Sequence, residues 1–335
     1  MGDGLAIIAM RSASTDAPAS AWIIFNLIVV ALLALDLFGF NRKAHKIFLR
    51  EAAWLSAFFI ACSLAINAWV WIEWGPDAGL TWFTGYVVEK SLSVDNLFVI
   101  AVLFGYFGVP AEYQHRVLFW GIFGAIVMRA FMILLGVALI ERFDWVLYIF
   151  GAFLIFTGVK LMREHDVAAE PGNNRLLRAL RRWIPVSRNY HGQKFFVRIR
   201  GHLVATPLFL VLIMIELTDV VFAVDSIPAI LGITTDRFIA YTSNIMAVIG
   251  LRALYFLVVG IIERVRYLNI GLAVVLIFIG LKMMVEEILH VPTFISLAVI
   301  IGVLAASAVA SWMVTRREHR LAPFGPPRTP DEDDN

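Results

Sequence analysis

The 335-residue chain is 60% hydrophobic and only 16% charged, with a mean hydropathy of +0.81 and a formal charge of +2. That balance excludes an ordinary soluble domain. The single cysteine, Cys62, excludes a disulfide framework and a thiolate metal cage.

Apolar runs near the roughly 20 residues that cross a bilayer follow one another almost from end to end. The first 20 residues lack a basic start followed by an apolar core, so they are expected to be a short polar extension rather than a cleavable signal peptide. Nine spans are expected: Ala21–Phe40, Ala52–Trp74, Leu80–Phe107, Val117–Ile140, Trp145–Met162, Leu203–Leu231, Phe238–Ile262, Leu268–Val285 and Phe294–Val314. In lipid each must be a helix, because every backbone group has to find its partner within the segment. The fold class is therefore an all-α polytopic membrane bundle, forming one membrane domain over residues 1–335.

Lys and Arg set the orientation. Arg42, Lys43, Lys46 and Arg50 follow the first span, nine basic residues from Arg163 to Arg200 follow the fifth, Arg264 and Arg266 the seventh, and Arg316, Arg317 and Arg320 the ninth. The alternate loops are nearly bare of positive charge. The N-terminus is expected outside and the C-terminus in the cytoplasm of a bacterial inner (plasma) membrane. The basic loop 163–202 reads as a topology signal whose Arg175–Ile184 stretch lies as an amphipathic helix on anionic lipid; no nucleic-acid partner is expected. The Pro-, Asp- and Glu-rich tail 323–335 is expected to be disordered.

The chain repeats itself. Ser93-Val94-Asp95-Asn96 matches Ala223-Val224-Asp225-Ser226, Arg129-Ala130-Phe131 matches Arg252-Ala253-Leu254, and Ile140-Glu141-Arg142 matches Ile262-Glu263-Arg264. Gly158-Val159-Lys160-Leu161-Met162 matches Gly280-Leu281-Lys282-Met283-Met284. The offset drifts from 130 residues at Asp95/Asp225 to 122 at Gly158/Gly280. Residues 80–162 thus form one unit and 203–285 another, flanked by two N-terminal helices (21–74) and a last helix (294–314). With three spans per unit, the second unit enters from the opposite side, an inverted-topology repeat of the kind common among secondary transporters.

The first helix of each unit carries acids inside its apolar run: Glu89 and Asp95, then Glu216, Asp219 and Asp225. The offset pairs Glu89 with Asp219 and Asp95 with Asp225. A charge at mid-membrane costs about 2.5–3.5 kcal/mol even on the lenient insertion scale. Internal pairing with Lys90, Arg129 and Arg252 accounts for one or two of these acids, with the two arginines as structural clamps; Lys90 has the alternative of reaching toward the interface. Asp36 in the first span is a cytoplasmic gate or a helix-end residue, and Glu73 an interfacial charge. Ser91, Ser93, Asn96, Thr218 and Ser226 add neutral oxygens around the acids. Six residues turn a helix by roughly 600°, so Asp95 points about 120° away from Glu89. The acids meet one ion only if the helices bend, at Pro207 or Pro228 for instance; otherwise they form two layers along a path.

Carboxylate, hydroxyl and amide oxygens suit Mn²⁺, Ca²⁺ or Mg²⁺. The seven histidines fall in loops or at span ends, which argues against zinc or copper. No ATP-binding P-loop occurs and no nucleophile and base face water together, so gradient-driven transport is expected rather than enzymatic activity, with no permanently bound cofactor.

The segments Gly85–Phe98 (GYVVEKSLSVDNLF), Ala205–Phe209 (ATPLF) and Glu216–Ile230 (ELTDVVFAVDSIPAI) resemble the TerC family of membrane proteins, in particular its Alx-like branch, with similarity from about Ala21 to Val314. The resemblance implies a LysE-superfamily-like fold and export of divalent metal, chiefly manganese, with Glu89, Asp95, Glu216, Asp219 and Asp225 as ligands beside Asn96 and Ser226. The family name refers to tellurite resistance, but an acidic site repels an oxyanion. A membrane scaffold or insertion factor is the alternative from another class, and a Ca²⁺ or Mg²⁺ route the alternative on the same site. Oligomeric state is left open by the sequence.

Overall fold

A computed structural model describes residues 15–40, 49–143, 145–163, 186–187, 189–199, 202–259, 268–285 and 291–321; for a few residues within helices, Asp95 and Asp225 among them, it describes the backbone alone. The helices are α1 (Ala19–Ala34), continued by a π-helical turn (Leu35–Phe40), α2 (Leu49–Trp74), α3 (Pro76–Phe107), α4 (Ala111–Arg142) and α5 (Val146–Arg163). A hairpin of β1 (Phe196–Ile199) and β2 (His202–Ala205) leads into α6 (Pro207–Leu231), α7 (Arg237–Ile249), α8 (Leu251–Val259), α9 (Leu268–Val285) and α10 (Thr293–Leu321).

The expected spans are helical over most of their described residues, with a turn at Trp145 ahead of the fifth helix, a break at Gly250 within the seventh and a strand at the start of the sixth. There Leu203 and Val204 pair with Arg198 and Val197 in the antiparallel hairpin, and the helix begins at Pro207, whose missing N–H costs nothing at a first helical position. The stretch Arg175–Ile184 and the tail 323–335 lie outside the described residues. Among the described residues, six helices are long and apolar enough to cross a membrane, or seven if α7 and α8, bent by 45°, form one span. The six are α1, α2, α4, α5, α6 and α10. The 32-residue α3 is long enough but carries Glu89, Lys90 and Asp95 in its middle, and Ile270–Val285 of α9 is a shorter apolar helix.

Local chemistry marks the ends. Gly75 (φ +92°) separates α2 from Pro76 at the start of α3, and Gly108, in the left-handed region at φ +61°, closes α3 before Pro110 admits α4. Asp236 caps α7 by accepting the Ile239 N–H at 2.8 Å, and the same carboxylate accepts the Thr15 N–H (2.5 Å) and hydroxyl (2.9 Å). The segment before α1 is thereby fastened to the start of α7. Arg237 pairs with Glu141 across the ends of α7 and α4, and Tyr190 donates to the Phe107 carbonyl (2.7 Å) at the end of α3.

The bundle is built around α3, which packs on α2, α6, α7, α8 and α10, while α4 packs on α6, α7 and α8. Phe131, Ile72, Trp54 and Val221 point outward, whereas Glu89, Arg129, Asn244 and Arg252 are buried. Lipid is the solvent that this arrangement suits.

The most extensive pairing joins α5 to α9. A Cβ on Gly151 would meet the Gly280 carbonyl at 3.0 Å, and one on Gly280 would meet the Gly151 carbonyl at 2.6 Å. One on Gly158 would meet the Ala273 carbonyl at 2.8 Å. The obstacle in each case is backbone, which cannot swing away, so these glycines let two helices touch main chain to main chain. Gly280→Val is expected to cost about 2–3 kcal/mol in reversible detergent unfolding. Gly302→Ala on α10, where nothing lies within 4 Å, is expected to be neutral or to gain up to about 1 kcal/mol from helix propensity.

Candidate functional site

Three helices meet at Arg129, and a fourth joins them through Glu89. This α4 side chain is fully buried, with no exposed surface. Its NH1 donates to Glu89 Oε1 on α3. Its Nε and NH2 donate to Asp219 Oδ2 (3.2 Å) and Oδ1 (3.1 Å) on α6, the bidentate geometry that a guanidinium offers a carboxylate. NH1 also lies 3.4 Å from Ser226 Oγ. One cation therefore holds an acid from each of the two acid-bearing helices, α3 and α6.

The two acids are not held alike. Glu89 is 1% exposed; Ser93 donates to its Oε1 (3.2 Å) and Asn244 Nδ2, from α7, to its Oε2 (2.8 Å), so both oxygens are occupied. Asp219 is 14% exposed and lines a cavity of about 30 Å³, enough for a water-sized occupant. Asn96 and Thr218 supply the rest of its polar wall; Leu97, Ile122, Phe222 and Leu251 are among its apolar neighbours. The Thr218 hydroxyl donates to the Met214 carbonyl at 2.7 Å, which leaves its lone pairs free to accept.

Glu216 lies one helical turn from Asp219, on the same face of α6. It has no hydrogen bond or ion pair among the described residues. Its carboxylate sits against Gly124 of α4, where a Cβ would collide with it. Two carboxylates three residues apart repel unless a cation or a proton sits with them.

Lys90 takes a different place from the acids. It donates to the Ala247 carbonyl (2.9 Å) near the end of α7, where the bend into α8 frees main-chain acceptors and the helix dipole favours a positive group. It therefore neither bonds to a carboxylate nor reaches the interface as its sequence alone allows. Arg252, on α8 beyond the bend, pairs with Asp36 and also donates to the Asp36 carbonyl at 3.0 Å, within the π-helical turn; its NH1 is buried and has no partner among the described residues. Asp36 is thus a buried ion-pair acid.

Both acid-bearing helices are continuous, so the acids are spread along them: Asp95 lies about 9 Å further along α3 than Glu89. The side chains of Asp95 and Asp225 fall outside the described residues. Among the described residues no three Asp, Glu, His or Cys side chains come together as a metal-holding group. Glu89, Asp219, Ser226 and Arg129 are joined in one network, with Asn96 and Glu216 at its border. Asn244 and Gly124 belong to the same site but escape a search for charges. A carboxamide inside the apolar run Phe238–Ile262 was the available signal for Asn244, since it too needs a partner in lipid. Arg129→Met is expected to lower stability by about 3–5 kcal/mol by stranding two buried carboxylates. Adding Glu89→Gln and Asp219→Asn should recover most of that loss in the same reversible unfolding assay.

Residues 74–319 match the model of the integral membrane protein TerC family. An uncharacterized membrane protein of Myxococcus xanthus is 48% identical over 295 residues, covering 88% of this chain and 92% of the relative. The Escherichia coli K12 protein named "Putative membrane-bound redox modulator Alx" is 46% identical over 308 residues, 89% of this chain and 96% of the relative. An uncharacterized membrane protein of Rickettsia bellii is 43% identical over 291 residues, 87% and 96% of the two chains. No solved structure matches the chain.

Proposed function

The chain belongs to the TerC family of integral membrane proteins, and we propose that it is a secondary transporter that exports divalent metal, Mn²⁺ first, from the cytoplasm in exchange for protons. The observation that carries the reading is Glu216, without a partner among the described residues, one helical turn from Asp219, which with Asn96 and Thr218 gives an otherwise apolar small cavity its polar groups inside a bundle whose outer faces are apolar. Asp219 and Glu216 would supply hard carboxylate oxygens, and Asn96 and Thr218 neutral ones, the donor set of Mn²⁺, Mg²⁺ or Ca²⁺. Ser226 follows on α6, and Asp95 and Asp225, by their places in the sequence of the same helices, would extend the polar path. Glu89 takes the part of the anion that holds Arg129.

The packing supports the inverted repeat. If a two-fold axis relates α3–α5 to α6–α9, then α3 on α7 demands α4 on α6, and both pairings occur. Third helices should then meet each other, as α5 and α9 do. The offset of 122 exchanges Gly151 with Ala273 and Gly158 with Gly280, so the contacts Gly151–Gly280 and Gly158–Ala273 are each other's images. Nine spans, with the N-terminus outside and the C-terminus in the cytoplasm of a bacterial inner membrane, are consistent with the loop contacts. Thr15–Asp236 and Glu141–Arg237 join ends assigned to the outside, and Tyr190–Phe107 joins ends assigned to the cytoplasm. The basic loop 163–202 would rest on anionic lipid.

The competing reading is a membrane scaffold. The Alx name describes a redox role, and with Cys62 as its one cysteine this chain has no intramolecular dithiol to perform it. ⁵⁴Mn²⁺ uptake into proteoliposomes separates the readings. Wild type is expected to transport faster with an opposing proton gradient. Asp219→Asn and Glu216→Gln should each lower uptake roughly 10–100-fold, the range for losing a group that orders a metal site. Gly124→Ala should fold but lower uptake by displacing the Glu216 carboxylate. Wild-type uptake no faster than empty liposomes for Mn²⁺, Ca²⁺ and Mg²⁺ would leave the scaffold standing.

A further inference from the structure

We infer that Arg129 is a tethered cation that shares Asp219 with the transported metal, so that the metal loads by displacing a guanidinium rather than by entering a vacant cage. The inference rests on the reading of Asp219 and Glu216 as the ion site and adds to it a competitor carried by the chain itself.

The asymmetry of the two carboxylates carries it. On the Glu89 side the network is closed off from solvent, with Ser93 and Arg129 NH1 on one carboxylate oxygen and Asn244 on the other. On the Asp219 side the same guanidinium uses Nε and NH2, and the carboxylate it holds faces a cavity with Asn96 and Thr218. Glu216, one turn away, has no counter-charge of its own among the described residues. A divalent ion arriving between Glu216 and Asp219 gains two carboxylates at once, whereas Arg129 loses only one of its two and keeps Glu89. Glu89 is thus the mooring of the arginine and Asp219 the exchangeable partner.

This division has a mechanical consequence. Asp219 released to the metal no longer ties α6 to α4, while α4 stays tied to α3 through Glu89 and Arg129. Loading the ion would loosen one helix contact and preserve the other, which is what an alternating-access site requires of its cargo. Arg129 also serves the empty carrier, because it neutralises Asp219 when no metal is bound.

The test uses the full chain in lipid nanodiscs titrated with MnCl₂, with MgCl₂ as a second probe, following bound ⁵⁴Mn²⁺ and the thermal midpoint. Arg129→Gln alone strands Glu89 and is liable to unfold, so the decisive variant is Glu89→Gln/Arg129→Gln, which removes the competitor together with its mooring and conserves net charge. This double variant is expected to bind Mn²⁺ at least about tenfold more tightly than wild type, the scale of one lost charge-assisted competitor, and to be stabilised by Mn²⁺ where wild type is stabilised less. Adding Asp219→Asn should abolish the gain. Binding by the double variant equal to or weaker than wild type, with wild type binding measurably, would overturn the inference and spare the ion site. A gain that survives Asp219→Asn would overturn it too, and no binding in either protein would overturn the inference and the site reading together.

Discussion

A guanidinium without access to water, set among apolar helices, is the constraint on which the rest of the bundle depends. Arg129 cannot face lipid, and its charge cannot be left unpaired in a medium of low dielectric. Glu89, Asp219 and Ser226 approach it from α3 and α6, and Asn244 and Ser93 complete the shell of Glu89. A hydrophobic contact in a membrane has no preferred register, since lipid tails are as apolar as leucine. The polar network does have one. It fixes the axial and rotational positions of α3, α4, α6 and α7 relative to one another, and the small cavity beside Asp219 is a product of that alignment.

A second buried pair performs the same service at the bundle's edge. Arg252 reaches from α8 to Asp36, and the main-chain carbonyl it also binds belongs to the π-helical turn that ends α1. Next to Arg252 the helical path breaks at Gly250, between α7 and α8, and Lys90 donates to the Ala247 carbonyl beside the break. At both of these irregular places a buried cation attends to the main chain, as the absence of water in lipid demands.

Much of this was legible in the sequence, because the bilayer imposes length and apolarity that can be read directly. The apolar runs marked the helices, and the repeat marked Arg129 and Glu89 as residues with counterparts. What the sequence could not yield was the partnership of each charge. Periodicity places Glu89 and Asp219 on their own helices but says nothing about which helix lies opposite, so one arginine joining both was beyond reach. Lys90 could equally have snorkelled, paired or capped; the bend at Gly250, a glycine with ordinary backbone angles, gave no sign that it would open a main-chain site. The strand Leu203–Ala205 was hidden for a simpler reason: its apolar residues run on without interruption into α6, and periodicity does not distinguish a short apolar strand from the start of a helix.

The seam between α5 and α9 bears on how such a chain could arise. On the inverted-repeat reading, the glycines at 151, 158 and 280 make a surface complementary to its own antiparallel copy. A half-length ancestor that inserted into the membrane in both orientations would already have possessed the joint that holds the two halves together. Duplication and fusion would then have needed no new interface, only a linker and the later divergence that let Arg129 keep the two central acids while Arg252 turned outward to Asp36.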